Sequence, residues 1–145
     1  MRGGTAHCTI IIGDEEIGSP LVRHPSVVIA LNMPSMLKYE PLVKPGGLLI
    51  SDSTLITPSR EREPARTDIR HIALPAKDIA AELGFPQIAN VVMLGALIGA
   101  TGIAQMGTLD QVLEEHIGAR HRDALEPNKK ALRRGADYIG DKITA

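Results

Sequence analysis

The chain has 145 residues, with 16 Lys and Arg against 17 Asp and Glu and a formal net charge of −1. That is one domain's length, with no global basic field for nucleic acid or an anionic membrane. Aromatic residues make up 2%, which excludes a stacked-ring platform for single-stranded nucleic acid and leaves the core to aliphatic side chains and Met.

A single cysteine, Cys8, excludes an intrachain disulfide. It also excludes a thiolate zinc site or an iron–sulfur cluster held by this chain alone. One thiol suits a reducing, cytoplasmic setting. Met1 to Gly4 lead into a polar stretch without a signal-peptide pattern. The longest apolar run, residues 91–100, is too short to span a bilayer.

Residues 6–12 alternate and then run β-branched, Gly13-Asp14 follows, and 15–17 return. This pattern predicts an N-terminal hairpin. Residues 26–31, Ser-Val-Val-Ile-Ala-Leu, suit a strand covered on both faces of a parallel sheet. Asn32 or Ser35 then caps a helix to about Val43. Pro34 lies in its first turn, and Met36, Leu37, Tyr39 and Leu42 are its apolar positions. Pro41 should kink or shorten it. Residues 44–47 make a turn and 48–51 a second buried strand, completing a βαβ unit whose expected hand is right.

Residues 57–68, rich in Pro, Arg and Glu, read as a loop, and 69–74 as a strand. Residues 75–83 read as a helix closed by Gly84. Residues 87–100 are apolar nearly all round and predict a buried helix stopped by Gly102. Its small residues Ala89, Gly95, Ala96, Gly99 and Ala100 allow close backbone approach. Thr108 is placed to cap a helix with Leu109, Val112, Leu113 and Ile117 on one face and Gly118 at its end. A polar helix over 121–137 should break at Pro127, and 136–145 reads as a fraying polar tail. The expectation is a single α/β domain, residues 1–145 with a core from about 5 to 135, built on a mostly parallel sheet.

Such sheets bind ligands beyond the carboxyl ends of their strands, where Asn32 and residues 51–54 fall. The five histidines show no metal-ligand spacing and read as solvated or helix-terminal. Asp14, Glu15 and Glu16 fit a turn better than a cleft, and Cys8 reads as a small core residue. No Gly-x-Ser-x-Gly, Gly-x-Gly-x-x-Gly or P-loop occurs. Arg2-Gly3-Gly4-Thr5 could cradle a phosphate with glycine amides and a guanidinium, or be a flexible terminus. Arg60, Arg62 and Arg66 could meet an acidic partner or phosphate, or be solvated. No catalytic constellation is complete, and a non-autonomous domain is the expectation.

Three stretches carry a resemblance. They are Met1-Arg-Gly-Gly-Thr-Ala-His-Cys with Gly13-Asp-Glu-Glu-Ile-Gly-Ser-Pro, then Ala30-Leu-Asn-Met-Pro-Ser-Met-Leu-Lys-Tyr-Glu-Pro-Leu-Val-Lys-Pro-Gly-Gly-Leu-Leu-Ile, then Ala89-Asn-Val-Val-Met-Leu-Gly-Ala-Leu-Ile. Together they resemble the gamma subunit, or gamma domain, of 2-oxoacid:ferredoxin oxidoreductases of the 2-oxoglutarate or branched-chain type. The resemblance implies a Rossmann-like sheet. It also implies a multi-subunit enzyme that converts a 2-oxoacid and coenzyme A to acyl-CoA and CO2, passing electrons to ferredoxin.

Thiamine diphosphate, magnesium and the iron–sulfur clusters then belong to other subunits and none to this chain. The implied partners are alpha and beta (thiamine-binding) subunits and a ferredoxin-like delta subunit, with a homodimer also compatible. Nucleic acid and membrane are not among them. Arg2, Gly3, Gly4 and Thr5 become the coenzyme A or phosphate-binding candidates, with Asn32 and Asn90 beside them; no catalytic and no metal residue is implied. In the family a strand and a Gly-Gly-Gln-Gly turn with its helix precede Met-Arg-Gly-Gly. The resemblance therefore implies a chain that is truncated or whose start is assigned too late, with the first βα unit missing and an exposed apolar sheet edge or groove beside 27–31. Marginal stability or compensating association would follow. Two alternatives are an S-adenosylmethionine-dependent methyltransferase fragment, from Leu-Val-Lys-Pro-Gly-Gly-Leu-Leu-Ile after a strand–helix pair, and a purely structural assembly module.

Overall fold

The computed structural model describes residues 6–19, 21–56 and 66–144, with side chains through residue 140. Three strands, β1 (Val27–Ala30), β2 (Leu48–Asp52) and β3 (Arg70–Leu74), form a sheet in the order β1-β2-β3. Both pairings are parallel: Val27 stands beside Leu48, and Leu48 beside Arg70. Side chains alternate between faces, so the continuous apolar runs feed two cores. On one face Ala30 and Leu49 meet Met36 and Ile56. On the other, Leu48, Ile50, Ile72 and Leu74 join a larger cluster with Ile79, Val92, Met93, Ala131 and Ile139.

The crossover from β1 to β2 is α1 (Met33–Tyr39). Pro34 is tolerated in its first turn, which has no intrahelical N–H to lose. Pro41 ends it as expected: the helix gives way to a 3₁₀ turn, Glu40–Leu42. Met36 is buried, but Leu37 and Leu42, expected on the buried face, are exposed. Glu40 occupies a buried position instead, because the tightened last turn rotates the face that meets the sheet.

The predicted hairpin does not form. Residues 6–12 and 15–17 lie outside any strand, and Ile10 and Ile12 are 78% and 70% exposed. β-branched residues supply a preference, but a strand needs a ladder partner and a covered face. Cys8, expected in the core, is exposed on this segment.

After β3 come α2 (Ala76–Glu82), closed by Gly84 at φ +85°, and a 3₁₀ turn, Pro86–Ile88. The apolar run then forms α3 (Ala89–Thr101). Gly102, at φ +64°, ends it by donating its N–H to the Ile98 carbonyl at 2.8 Å. Next is α4 (Met106–His116), which starts two residues before the expected cap. Thr108 lies inside its first turn, and Gln105 stands at the cap position without a side-chain hydrogen bond.

A 3₁₀ turn, Ala119–Ala124, leads into α5 (Leu125–Thr144). Pro127 does not break it, because it is the third residue of the helix, where no backbone N–H is required. The expected polar tail is the second half of α5. Ile139 is fully buried, so the core extends past residue 135.

The α3–α5 crossing brings backbone against backbone. A Cβ at Gly95 would stand 2.0 Å from the Leu132 carbonyl oxygen, and one at Gly135 the same distance from that of Val92. Ion pairs flank the crossing. Arg134 reaches Glu82 on α2 at 2.7 Å, Arg133 reaches Asp110 on α4 at 2.5 Å, and Lys129 pairs with Glu114. The hydrogen bond to Glu114 holds the Lys129 ammonium above its ordinary pKa. Such surface pairs orient the helices more than they stabilise them.

Arg66, read from sequence as a phosphate or partner contact or a solvated cation, closes the end of α1. Its Nη1 donates to the carbonyls of Glu40 (3.0 Å) and Val43 (2.6 Å). Its Nε and Nη2 grip Asp68 at 2.8 and 2.5 Å. The hydrogen bond from Arg66 pulls the Asp68 carboxyl below its usual pKa, and Arg66 is raised in turn by Asp68.

A depressed carboxylate pKa stabilises the fold above its unfolded-state value and loses that contribution as pH falls through the folded-state value. Asp68→Asn should therefore lower Tm at neutral pH. The gap to the parent chain should close between about pH 5 and pH 2. Thermal melts across that range check it; a constant gap would show that the ion pair is not its source.

Candidate functional site

The carboxyl rim of the sheet is where a ligand would meet this fold. Asn32 follows β1 in extended backbone, φ −150°, and its Oδ1 accepts the Ser35 N–H at 2.9 Å. That bond caps α1 and leaves the Asn32 NH2 group as a donor at the rim. Asn32→Ala should cost about 1 kcal/mol and Asn32→Asp much less, measured by urea unfolding. Equal losses would remove capping as the cause.

At the end of β2, Asp52 is 1% exposed. Its Oδ1 accepts the Thr54 N–H at 3.0 Å, and its carbonyl accepts the Ile56 N–H at 2.9 Å. The Ser53 N–H donates to the Leu74 carbonyl at 2.9 Å, tying this turn to the end of β3. Thr54 Oγ1 accepts the Asp78 N–H at 3.3 Å, tying it also to the first turn of α2. The rim is thus a set of mutually satisfied turns, stiffly placed above the strands.

Of the residues singled out from sequence, Asn32 and 51–54 do share this rim. Asn90 is exposed in the first turn of α3. Among the described residues no hydrogen bond joins it to Asn32. Arg2, Gly3, Gly4 and Thr5, and also Arg60 and Arg62, lie outside the described residues.

Sequence reading missed one polar pair. Ser51 on β2 and His71 on β3 share a hydrogen bond between Oγ and Nε2 at 2.8 Å. Leu49 stands beside His71 in the parallel register, which puts residues 51 and 71 on one face. Only the register carries that signal. Ser51 is 1% exposed, so an external acyl group has no approach to its oxygen, and the pair is a polar link between strands.

Three of the other histidines also engage protein groups. His7 Nδ1 lies 2.8 Å from the Tyr39 hydroxyl, His24 Nδ1 3.3 Å from the Leu42 carbonyl, and His116 Nδ1 2.9 Å from the Val112 carbonyl. Among the described residues no group of three or more His, Cys, Asp or Glu is placed to hold a metal ion. No helix among them is long and apolar enough to cross a membrane.

Residues 1–138 match the family model described as pyruvate ferredoxin/flavodoxin oxidoreductase. The chain belongs to the pyruvate ferredoxin/flavodoxin oxidoreductase family. Within this oxidoreductase family it is similar to the ketoisovalerate oxidoreductase subunit VorA of Methanothermobacter thermautotrophicus, 32% identical over 145 residues. That alignment covers 99% of this chain and 29% of VorA. It is also similar to the 2-oxoglutarate synthase subunit KorC of the same organism, 30% identical over 140 residues, covering 95% of this chain and 72% of KorC.

Among solved structures it resembles the gamma subunit of a keto/oxoacid ferredoxin oxidoreductase from Geobacter sulfurreducens, with a TM-score of 0.68 and 25% identity. That match covers 79% of this chain and 63% of the gamma subunit. The chain thus spans less than a third of VorA and less than two thirds of the gamma subunit. The parallel α/β architecture expected from sequence is shared with the gamma-subunit structure. The relatives' names include both branched-chain and 2-oxoglutarate types. The stretch that prompted the methyltransferase alternative lies inside the family match.

Proposed function

We propose that the chain is a non-autonomous gamma-type component of a thiamine-diphosphate-dependent 2-oxoacid:ferredoxin oxidoreductase. The assembly converts a 2-oxoacid and coenzyme A to acyl-CoA and CO2 and delivers electrons to ferredoxin. The family match over residues 1–138 carries this reading, and relatives named as subunits of 2-oxoacid oxidoreductases support it.

One cysteine cannot supply the ligands of an iron–sulfur cluster. In this reading, as the resemblance implies, the clusters, thiamine diphosphate and magnesium are held by alpha, beta and ferredoxin-like delta partners. Thiamine diphosphate, bound there, supplies the carbanion stabilisation that decarboxylation requires. This chain's own contribution is toward coenzyme A. Arg2 with the amides of Gly3, Gly4 and Thr5 would meet phosphate, and the free Asn32 amide and Asn90 are secondary contacts.

Co-expression with the thiamine-binding and ferredoxin-like subunits tests the reading. Coenzyme A-dependent ferredoxin reduction, assayed over a series of 2-oxoacids, should require this chain, and the chain alone should show no turnover. A complex equally active without it, or turnover by the isolated chain, would reject the assignment. Arg2→Ala in the complex should weaken coenzyme A binding by titration; unchanged affinity would remove Arg2 from the site.

A further inference from the structure

Helix α4 contributes nothing to the core. None of its residues is buried, and none belongs to either apolar cluster. Met106, Leu109 and Leu113, with Ile117 just after the helix, recur at helical spacing but stand only half-buried, and Val112 is exposed. The helix packs chiefly on α5. It is also weak as a helix. It has 11 residues, no side-chain cap at Gln105, and Gly107 in its first turn. Isolated helices shorter than about 12–15 residues are marginal in water. Non-helical backbone flanks it at 102–105 and at 117–118.

Charge holds it in place. Asp110 pairs with Arg133, and Glu114 with Lys129. The acids are four residues apart on α4 and the cations four apart on α5, in opposite order. The pairs are therefore two rungs, one turn apart, between helices that run in opposite directions. Of the nearby acids, Glu126 on α5 adds to the field on the Lys129 ammonium, and Glu115 accepts a hydrogen bond from Gln111 on α4 itself.

One atom favours release. Asp110 Oδ1 is buried, and no donor among the described residues reaches it. A buried oxygen without a hydrogen bond is costly, and undocking returns it to water.

We propose that α4 is a latched strap. It undocks from α5 and unwinds as a unit between residues 102 and 118, while the sheet and the α3–α5 crossing stay intact. The Asp110–Arg133 and Glu114–Lys129 pairs are the latch. Ionic strength sets how often it opens, because pairs at the surface are screened by salt. Opening uncovers the stripe of Leu109 and Leu113, so the chain carries an apolar face under electrostatic control.

Hydrogen exchange of the full chain, read by mass spectrometry, tests this. Relative to unfolded rates, amides of α4 should exchange at least about a hundredfold faster than those of α3. Raising NaCl from about 20 mM to about 500 mM should speed α4 about three- to tenfold and leave α3 unchanged. Asp110→Asn with Glu114→Gln should give the fast rate at low salt, abolish the salt effect and leave α3 as protected as before. Asp110→Arg should speed α4 at low salt, and adding Arg133→Asp should restore its protection. Exchange of α4 in step with α3, a rate indifferent to salt, a neutralised variant that behaves like the parent, or a reversed pair that restores nothing would each overturn the proposal.

Discussion

Gly135→Ala should lower the stability of the chain by about 3 kcal/mol, the upper end of what overpacking costs. The added methyl would stand 2.0 Å from the Val92 carbonyl oxygen and 2.9 Å from the Ala96 nitrogen. Both are backbone atoms of α3, so no rotamer change relieves the clash; the helices must separate. Helix propensity acts the other way, because alanine is favoured over glycine by up to about 1 kcal/mol inside a helix. Sterics win by a wide margin. Gly140→Ala, in the same helix but with open space around the new methyl, isolates the propensity effect and should stabilise. Urea unfolding of both variants decides it, and similar values for the two would mean that α3 and α5 do not touch through their backbones.

Ile50→Ala should cost about 4 kcal/mol and Leu49→Ala about 2–3 kcal/mol, within the range for large-to-small core changes. Both side chains are fully buried on β2, so transfer free energy alone predicts similar losses. The difference lies in how well each site can collapse. Ile50 belongs to the cluster shared by the sheet, α2, α3 and α5, whose helices are fixed by the glycine crossing and leave a cavity open. Leu49 meets the smaller cluster under α1, where a short helix beside an exposed edge can settle inward. Denaturant midpoints at constant m-value measure the contrast. An equal or reversed order would show that the α1 face is the stiffer of the two.

β1 and β2 were legible because strands inside a parallel sheet favour continuous apolar runs, and residues 27–30 and 48–50 have them. Gly84 and Gly102 announced their helix ends because both take positive φ there. The hairpin failed for the converse reason. Alternation within 6–17 records what the segment could do beside a partner strand, and among the described residues no strand pairs with it. Pro127 was misread because its effect depends on where the helix begins, and a 3₁₀ turn over Ala119–Ala124 puts that start at Leu125.

At the rim, Asn32 was legible as a cap from its position before Met-Pro-Ser. The Ser51–His71 bond and the Arg66 clamp were not, because each joins residues that only strand register or chain reversal brings together. Arg2 to Thr5 were singled out on composition and resemblance, and their geometry lies outside the described residues.

The backbone-to-backbone crossing of α3 and α5 also sets the order in which the molecule loosens. Amide protons in these helices should exchange with deuterium through near-global opening, since no side chain can swing aside to admit solvent between them. Those along β1 should exchange through cheap local fraying. The domain thus has a rigid keel in the helix crossing and a pliant gunwale in its edge strand.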